Sequence, residues 1–212
     1  MLTFYFSPGA CSMAPHIALE EAGATFEAKP LSLAKGQHKS PEFLKINPNG
    51  QVPTLLVDGK LLTENLAILT WIAEQHPSAK LMPTEPWERV QTLSYLARLT
   101  SDVHKTFAPL FRPQAYVDDE KARDNFVKNV RGLVGERMSG LDARLAGKDY
   151  ALGQFSVVDC YMYVFFAWAS HLGFDTGKWP NYSRHFERMN ARPAVQRMRA
   201  RESAAQEKLN AA

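Results

Sequence analysis

A stretch holding Pro77, Pro83 and Pro86 divides this chain into two parts whose hydrophobic patterns cannot belong to one kind of layer. Upstream, short apolar runs alternate with segments of helical spacing. Leu2 to Phe6 is an apolar and aromatic run closed by Ser7-Pro8-Gly9, which reads as a strand and a turn. Ile17, Ala18 and Leu19, with Glu20 and Glu21 on another face and Gly23 as a stop, predict a helix from about Met13. Phe26 to Leu33 reads as a second strand, and Pro41 to Ile46 as a short helix ended by Asn47-Pro48-Asn49-Gly50. Val52 to Val57, the turn Asp58-Gly59 and Leu61-Leu62 predict a hairpin. Leu66, Ile68, Leu69, Ile72 and Ala73 then fall at helical spacing. The order βαβ, short helix, ββ, helix implies an α/β layer structure of about 80 residues.

Downstream of the prolines no strand signal appears. Helical patterns run from Trp87 to about Phe111, from Asp118 to Leu145 and from Ser156 to about Leu172, with shorter ones from Asn181 and Pro193. The expected organisation is an α/β unit over residues 1–80 and an all-α unit over 87–212. Ser156-Val157-Val158-Asp159 opens the most apolar helix as a capping box, with Ser156 as N-cap and Asp159 reaching back to its N–H. The polar, alanine-rich C-terminal residues are expected to fray.

Composition excludes several function classes. A formal charge of +3 is small against 25 basic and 22 acidic residues, so neither nucleic acid nor an anionic membrane is demanded as a partner. Arg192, Arg197, Arg199 and Arg201 lack interleaved aromatics and read as a solvated helix face. The N-terminus lacks the features of a secretory signal, and the most apolar run, Cys160 to Ala169, is about half the ~20 residues of a membrane span. Two distant cysteines argue against a disulfide framework and against a zinc site, and make a reducing cytoplasm the expected location.

Three features could carry chemistry. Cys11 sits between the first strand and the first helix, where the unpaired N–H groups of a helix start would favour a thiolate. The other reading is a small buried core residue, which is the reading taken for Cys160. A dithiol oxidoreductase of this layout would place a second cysteine three residues on; Ala14 stands there, so any mixed disulfide at Cys11 needs an external thiol. Val52-Pro53 is either a cis bond that leaves the Val52 peptide free to pair with an extended peptide, or a trans proline on an edge strand. Thr63-Glu64-Asn65 leads from the hairpin into a helix. It could receive an α-amino-acid head group, with Glu64 on the ammonium, or could be a helix cap alone.

Together the Ser-Pro-Gly-Ala-Cys-Ser start, Ile46-Asn47-Pro48-Asn49-Gly50-Gln51-Val52-Pro53 and Leu62-Thr63-Glu64-Asn65 resemble the glutathione S-transferase superfamily. Cys11 with Ser101-Asp102-Val103-His104-Lys105 narrows the resemblance to its bacterial beta class. The resemblance spans essentially the whole chain. It implies a thioredoxin-like glutathione-binding domain followed by an all-α domain that contributes a hydrophobic co-substrate site. It further implies catalytic roles for Cys11 and His104 and glutathione contacts from Lys35, Val52, Pro53, Glu64, Asn65, Ser101, His104 and Lys105. The co-substrate would meet Phe107, Phe111 and Trp168, each of which is equally readable as a packing aromatic. Glutathione would be a cosubstrate, with no metal or separate cofactor, and the chain would form a homodimer. Two departures stand out: Asn65 replaces the usual Ser after Glu, and Ala97 stands where the class often has an Asn near the cysteine. The implied activity is conjugation of glutathione to small hydrophobic electrophiles, as in detoxification, or thiol exchange and peroxide reduction through Cys11. The alternative from another class is a non-catalytic ligand-binding or partner-binding protein on the same fold.

Overall fold

The computed structural model of the chain describes residues 1–211. Its first part is a four-stranded mixed sheet: β1 (Leu2–Phe6), β2 (Phe26–Pro30), β3 (Thr54–Val57) and β4 (Lys60–Thr63), in the order β2-β1-β3-β4. β1 pairs parallel with β2 across α1 (Met13–Glu21) and antiparallel with β3, which turns back into β4. The turn works because Asp58 and Gly59 both take positive φ, the geometry that matches the twist of a two-residue hairpin. α2 (Pro41–Leu44) precedes β3, and α3 (Asn65–Gln75) leaves β4. This is the expected thioredoxin-like α/β arrangement. β3 starts at Thr54, two residues later than the apolar run, because Pro53 has no N–H for the ladder.

The second part is helical: α4 (Pro86–Arg98), α5 (Lys105–Phe111), α6 (Glu120–Arg144), α7 (Val157–His171), α8 (Pro180–Asn190) and α9 (Pro193–Ala211). The helix expected from Trp87 to Phe111 is not continuous. A π-helical segment, Leu99–His104, separates α4 from α5. Thr100 and Thr106 donate their hydroxyls back to Leu96 O and Asp102 O, the type of back-bonding that bends helices, and Pro109 removes a further rung.

α7 is the axis of the molecule, with twelve of its fifteen residues buried, so it can start only if its end groups are satisfied internally. The capping box does this: Asp159 accepts from Ser156 N at 2.9 Å, and Ser156 Oγ accepts from Val158 N at 3.3 Å. Asp159 also accepts from Ala151 N at 2.9 Å and meets His185 Nε2 at 2.9 Å.

α1 packs on both α7 and α9, which joins the sheet to the helices. The C-terminal segment expected to fray is helical through Ala211, the last described residue, and α9 buries Glu202 and Ala205. Arg197, Arg199 and Arg201 are exposed, as expected of a solvated face, and several of the arginines also make ion pairs. Arg192 pairs with Glu21, while Arg197 and Arg201 both reach Glu20, tying the C-terminal segment to α1. Among the described residues, no helix is long and apolar enough to cross a membrane, and no cluster of His, Cys, Asp or Glu is placed to hold a metal.

Candidate active site

The loop from Ser7 to Ser12 is held from three sides. Ser12 Oγ donates to Ser7 O and accepts from Ser7 N, both at 3.1 Å, which closes the loop on itself. Gly9 N donates to Glu202 of α9 at 2.8 Å, and Gly9 O accepts from Trp168 Nε1 of α7 at 2.8 Å. The other Glu202 oxygen meets the fully buried His16 at 3.1 Å. Two helices from the far end of the chain thus fix the backbone that carries Cys11.

Cys11 points its thiol at Val52 O, 3.4 Å away. Its environment is not the expected one. Protein packed around the sulfur pushes the thiol from 9.0 up to about 12, although the residue keeps some solvent exposure. Donors from the Asn65 side chain and the nearby backbone pull the other way and lose, and the Glu64 charge adds to the rise. The helix-start argument fails for a local reason. Met13 N and Ala14 N, the first donors of α1, are spent on Ala10 O and Cys11 O, so little of the helix end is left to stabilise a thiolate. Cys11 is a neutral thiol at rest. Cys160, as expected, is buried in the core.

The Val52-Pro53 bond is cis, the first of the two readings. The loop before it is built on Asn47, whose amide donates to Gln51 O at 3.0 Å and Thr54 Oγ1 at 2.9 Å and whose oxygen accepts from Asn49 N. Gly50 is obligatory there: it has φ +57°, and a Cβ would lie 2.7 Å from His38 O.

Glu64 holds φ 70°, ψ 127°, an uncommon conformation for a non-glycine residue. It is the N-cap residue of α3, with its carbonyl accepting from Ile68 N at 2.9 Å but no side-chain cap bond. The strained backbone sends the Glu64 carboxylate out to solvent and turns Asn65 inward. Asn65 is 3% exposed, with its amide beside Cys11 and its Oδ1 without a partner.

From the helical side, His104 ends the π-helical segment and its Nδ1 lies 2.7 Å from the hydroxyl of buried Tyr161. Burial, helped by the Lys105 charge, lowers His104 to about 4, so it is neutral at physiological pH and adds no cationic potential. Lys105, Ser101 and Ala97 are exposed and make no hydrogen bond toward the thiol. Lys35 donates its ammonium to Leu209 O at 2.7 Å, at the end of α9. The three expected aromatics do come together: Phe107 and Phe111 pack on Trp168 with ring centroids 5.6 and 5.1 Å away. Phe107 is fully buried and only Phe111 is substantially exposed, so the pair divides between core and surface.

Sequence reasoning missed Ser12, His16, Glu202 and Tyr161. Only Tyr161 carried a local signal: a phenol inside an otherwise apolar helix needs a partner for its O–H.

Comparison with known proteins places this geometry. Residues 1–74 match the family described as glutathione S-transferase, N-terminal domain, and residues 101–193 match glutathione S-transferase, C-terminal domain. Glutathione S-transferase GstA of Escherichia coli O157:H7 is 31% identical over 199 residues, covering 92% of this chain and 96% of that one. A sphingomonad glutathione S-transferase solved in complex with glutathione superposes with a TM-score of 0.84 at 42% identity, covering 95% of this chain and 98% of the other. A beta-class glutathione S-transferase of Sphingomonas chungbukensis gives 0.84 at 40% identity, with 94% and 98% covered.

Proposed function

This chain belongs to the glutathione S-transferase family and is a glutathione transferase; we propose that it is of the bacterial beta type and joins glutathione to small hydrophobic electrophiles. One observation carries the reading. Cys11, Val52, Glu64 and Asn65 from the sheet side converge on the same corner as His104 and Tyr161 from the helical side. Such a corner suits an extended thiol tripeptide. The Val52 peptide pairs with its central residue, and the exposed Glu64 carboxylate pairs with its ammonium. The glutathione sulfur then lies toward Cys11, which donates a hydrogen bond from its neutral thiol. The tripeptide thiolate attacks the electrophile, its proton passes to solvent, and the leaving group departs. The electrophile rests against Phe111 and the exposed edge of Trp168. Glutathione is the cosubstrate, and no separate cofactor is needed. Residues 1–80 form the glutathione-binding domain and 87–212 the domain supplying the apolar site.

Thiol exchange is a second activity of the same corner. A Cys11 thiolate displaces one glutathione thiolate from oxidised glutathione. Because Ala14 offers no resolving thiol, a second glutathione must release the adduct. The likeness to the family supports a homodimer as the assembly. The role that fits is cytoplasmic detoxification.

The test is turnover with glutathione and a chloronitroaromatic. The expected result is saturable conjugation that persists in part in Cys11→Ala, while the mixed disulfide with oxidised glutathione is lost. Tight glutathione binding without turnover on any electrophile would instead mark a binding protein.

A further inference from the structure

We propose that Tyr161 is a positioning residue that fixes His104 in its Nε2–H form, so that a neutral imidazole presents an N–H donor to the anionic groups of the bound tripeptide. This rests on the proposed function for what is bound, but not for the state of the ring. The Tyr161 hydroxyl lies 2.7 Å from His104 Nδ1, and the two rings stand at 90°. The phenol is fully buried, so its single proton must go to a protein acceptor. Among the described residues His104 Nδ1 is the one acceptor recorded within hydrogen-bond distance. Thr100 lies nearby, but its recorded hydrogen bond runs to Leu96 O at 3.0 Å, and among the described residues none joins it to the Tyr161 hydroxyl. Asn65 lies near both the phenol and Cys11, with its Oδ1 unpartnered. The Tyr161 O–H is therefore assigned to His104 Nδ1.

A neutral imidazole that accepts at Nδ1 carries its proton at Nε2. The ring is held in place on its other faces by Trp168 and Phe165, with centroids 5.1 and 6.2 Å away. Burial and Lys105 keep the ring from taking a second proton at physiological pH. A donor of this kind stabilises a thiolate or carboxylate without a buried cation, in the manner of a preorganised electrophilic group. Tyr161 thus sets the state of His104 from inside the core helix.

The test is long-range ¹H–¹⁵N correlation on histidine-labelled full-length protein at neutral pH, without glutathione. His104 is identified by the signal lost in His104→Gln. The expected spectrum has an unprotonated Nδ1 and a protonated Nε2. In Tyr161→Phe that one ring should shift toward a mixture of tautomers, while the other five histidines keep their signals as a control for folding. The same variant should lose about tenfold or more in kcat/KM for glutathione, the size of one hydrogen bond to a charged group. A protonated Nδ1 in the wild-type protein overturns the proposal, even if Tyr161→Phe does not fold. So does an unchanged tautomer or an unchanged kcat/KM in a folded Tyr161→Phe. Absence of transferase turnover in the wild-type protein would count against the proposed function and leave the spectral result to decide the tautomer.

Discussion

Raising the pH should accelerate the reaction of Cys11 with oxidised glutathione without a plateau through the range where ordinary thiols have levelled off. The perturbation acts on the thiolate fraction. With the thiol held at about 12 rather than 9.0, its thiolate population at pH 7 is about a thousandfold below that of an open thiol. Nucleophilicity rises with basicity, with a Brønsted slope of about 0.4–0.5, which returns roughly fifteen- to thirtyfold of that loss. The net expectation is a rate about thirty to sixty times slower than for an unburied thiol at neutral pH, before any binding effect. The assay is the initial rate of the glutathione mass increase on intact protein, in a Cys160→Ala background, at intervals from pH 7 to pH 10.5. The logarithm of the rate should climb by one for each pH unit across that range. A plateau reached below pH 9 would mean that the thiol is activated rather than suppressed. The account of Cys11 as a neutral donor at rest would then be wrong.

Two further outcomes follow from the same contacts. Glu202→Ala removes the partner of Gly9 N and of buried His16 and should lower unfolding stability by about 2–4 kcal/mol, since two donors lose their acceptor; urea unfolding measures it, and transferase activity should fall with it as the Cys11 loop loosens. Because burial holds His104 near 4, the unfolded chain binds a proton between about pH 6.5 and pH 4 that the folded chain refuses. Stability from this site is therefore complete above about pH 6.5 and falls by up to about 3 kcal/mol as the pH drops to 4, and His104→Gln should flatten that part of the urea-midpoint profile.

What could be read from the sequence was whatever leaves a local mark. The hairpin was legible because Asp58-Gly59 states a backbone requirement in two residues, and the capping box because Ser156 and Asp159 lie three apart on one turn. The convergence of Val52 and Glu64 on Cys11 came from motif resemblance, since no period links residues 11, 52 and 64. Contacts between distant segments were out of reach. Glu202 meets Gly9 across 193 positions, and Arg197 meets Glu20 across 177, so the docking of the C-terminal helix on α1 left no local mark in the sequence. The sign of the Cys11 shift was missed for a related reason. A helix start is visible in sequence, but the packing around a sulfur is a tertiary property, and here the first helical N–H groups are already spent on Ala10 and Cys11. The burial of Asn65 near Cys11 is likewise a tertiary property with no local mark.

The central claim is that glutathione occupies the corner between Cys11, Val52 and Glu64. Titration calorimetry of glutathione into the wild-type protein and Glu64→Ala tests it most directly, because Glu64 is exposed, caps no helix with its side chain and makes no recorded side-chain hydrogen bond among the described residues. The account predicts that the variant stays folded and binds more weakly by about 1–3 kcal/mol, the worth of a hydrogen bond from an ammonium to a carboxylate. Equal affinity in the two proteins would place glutathione elsewhere and contradict the account.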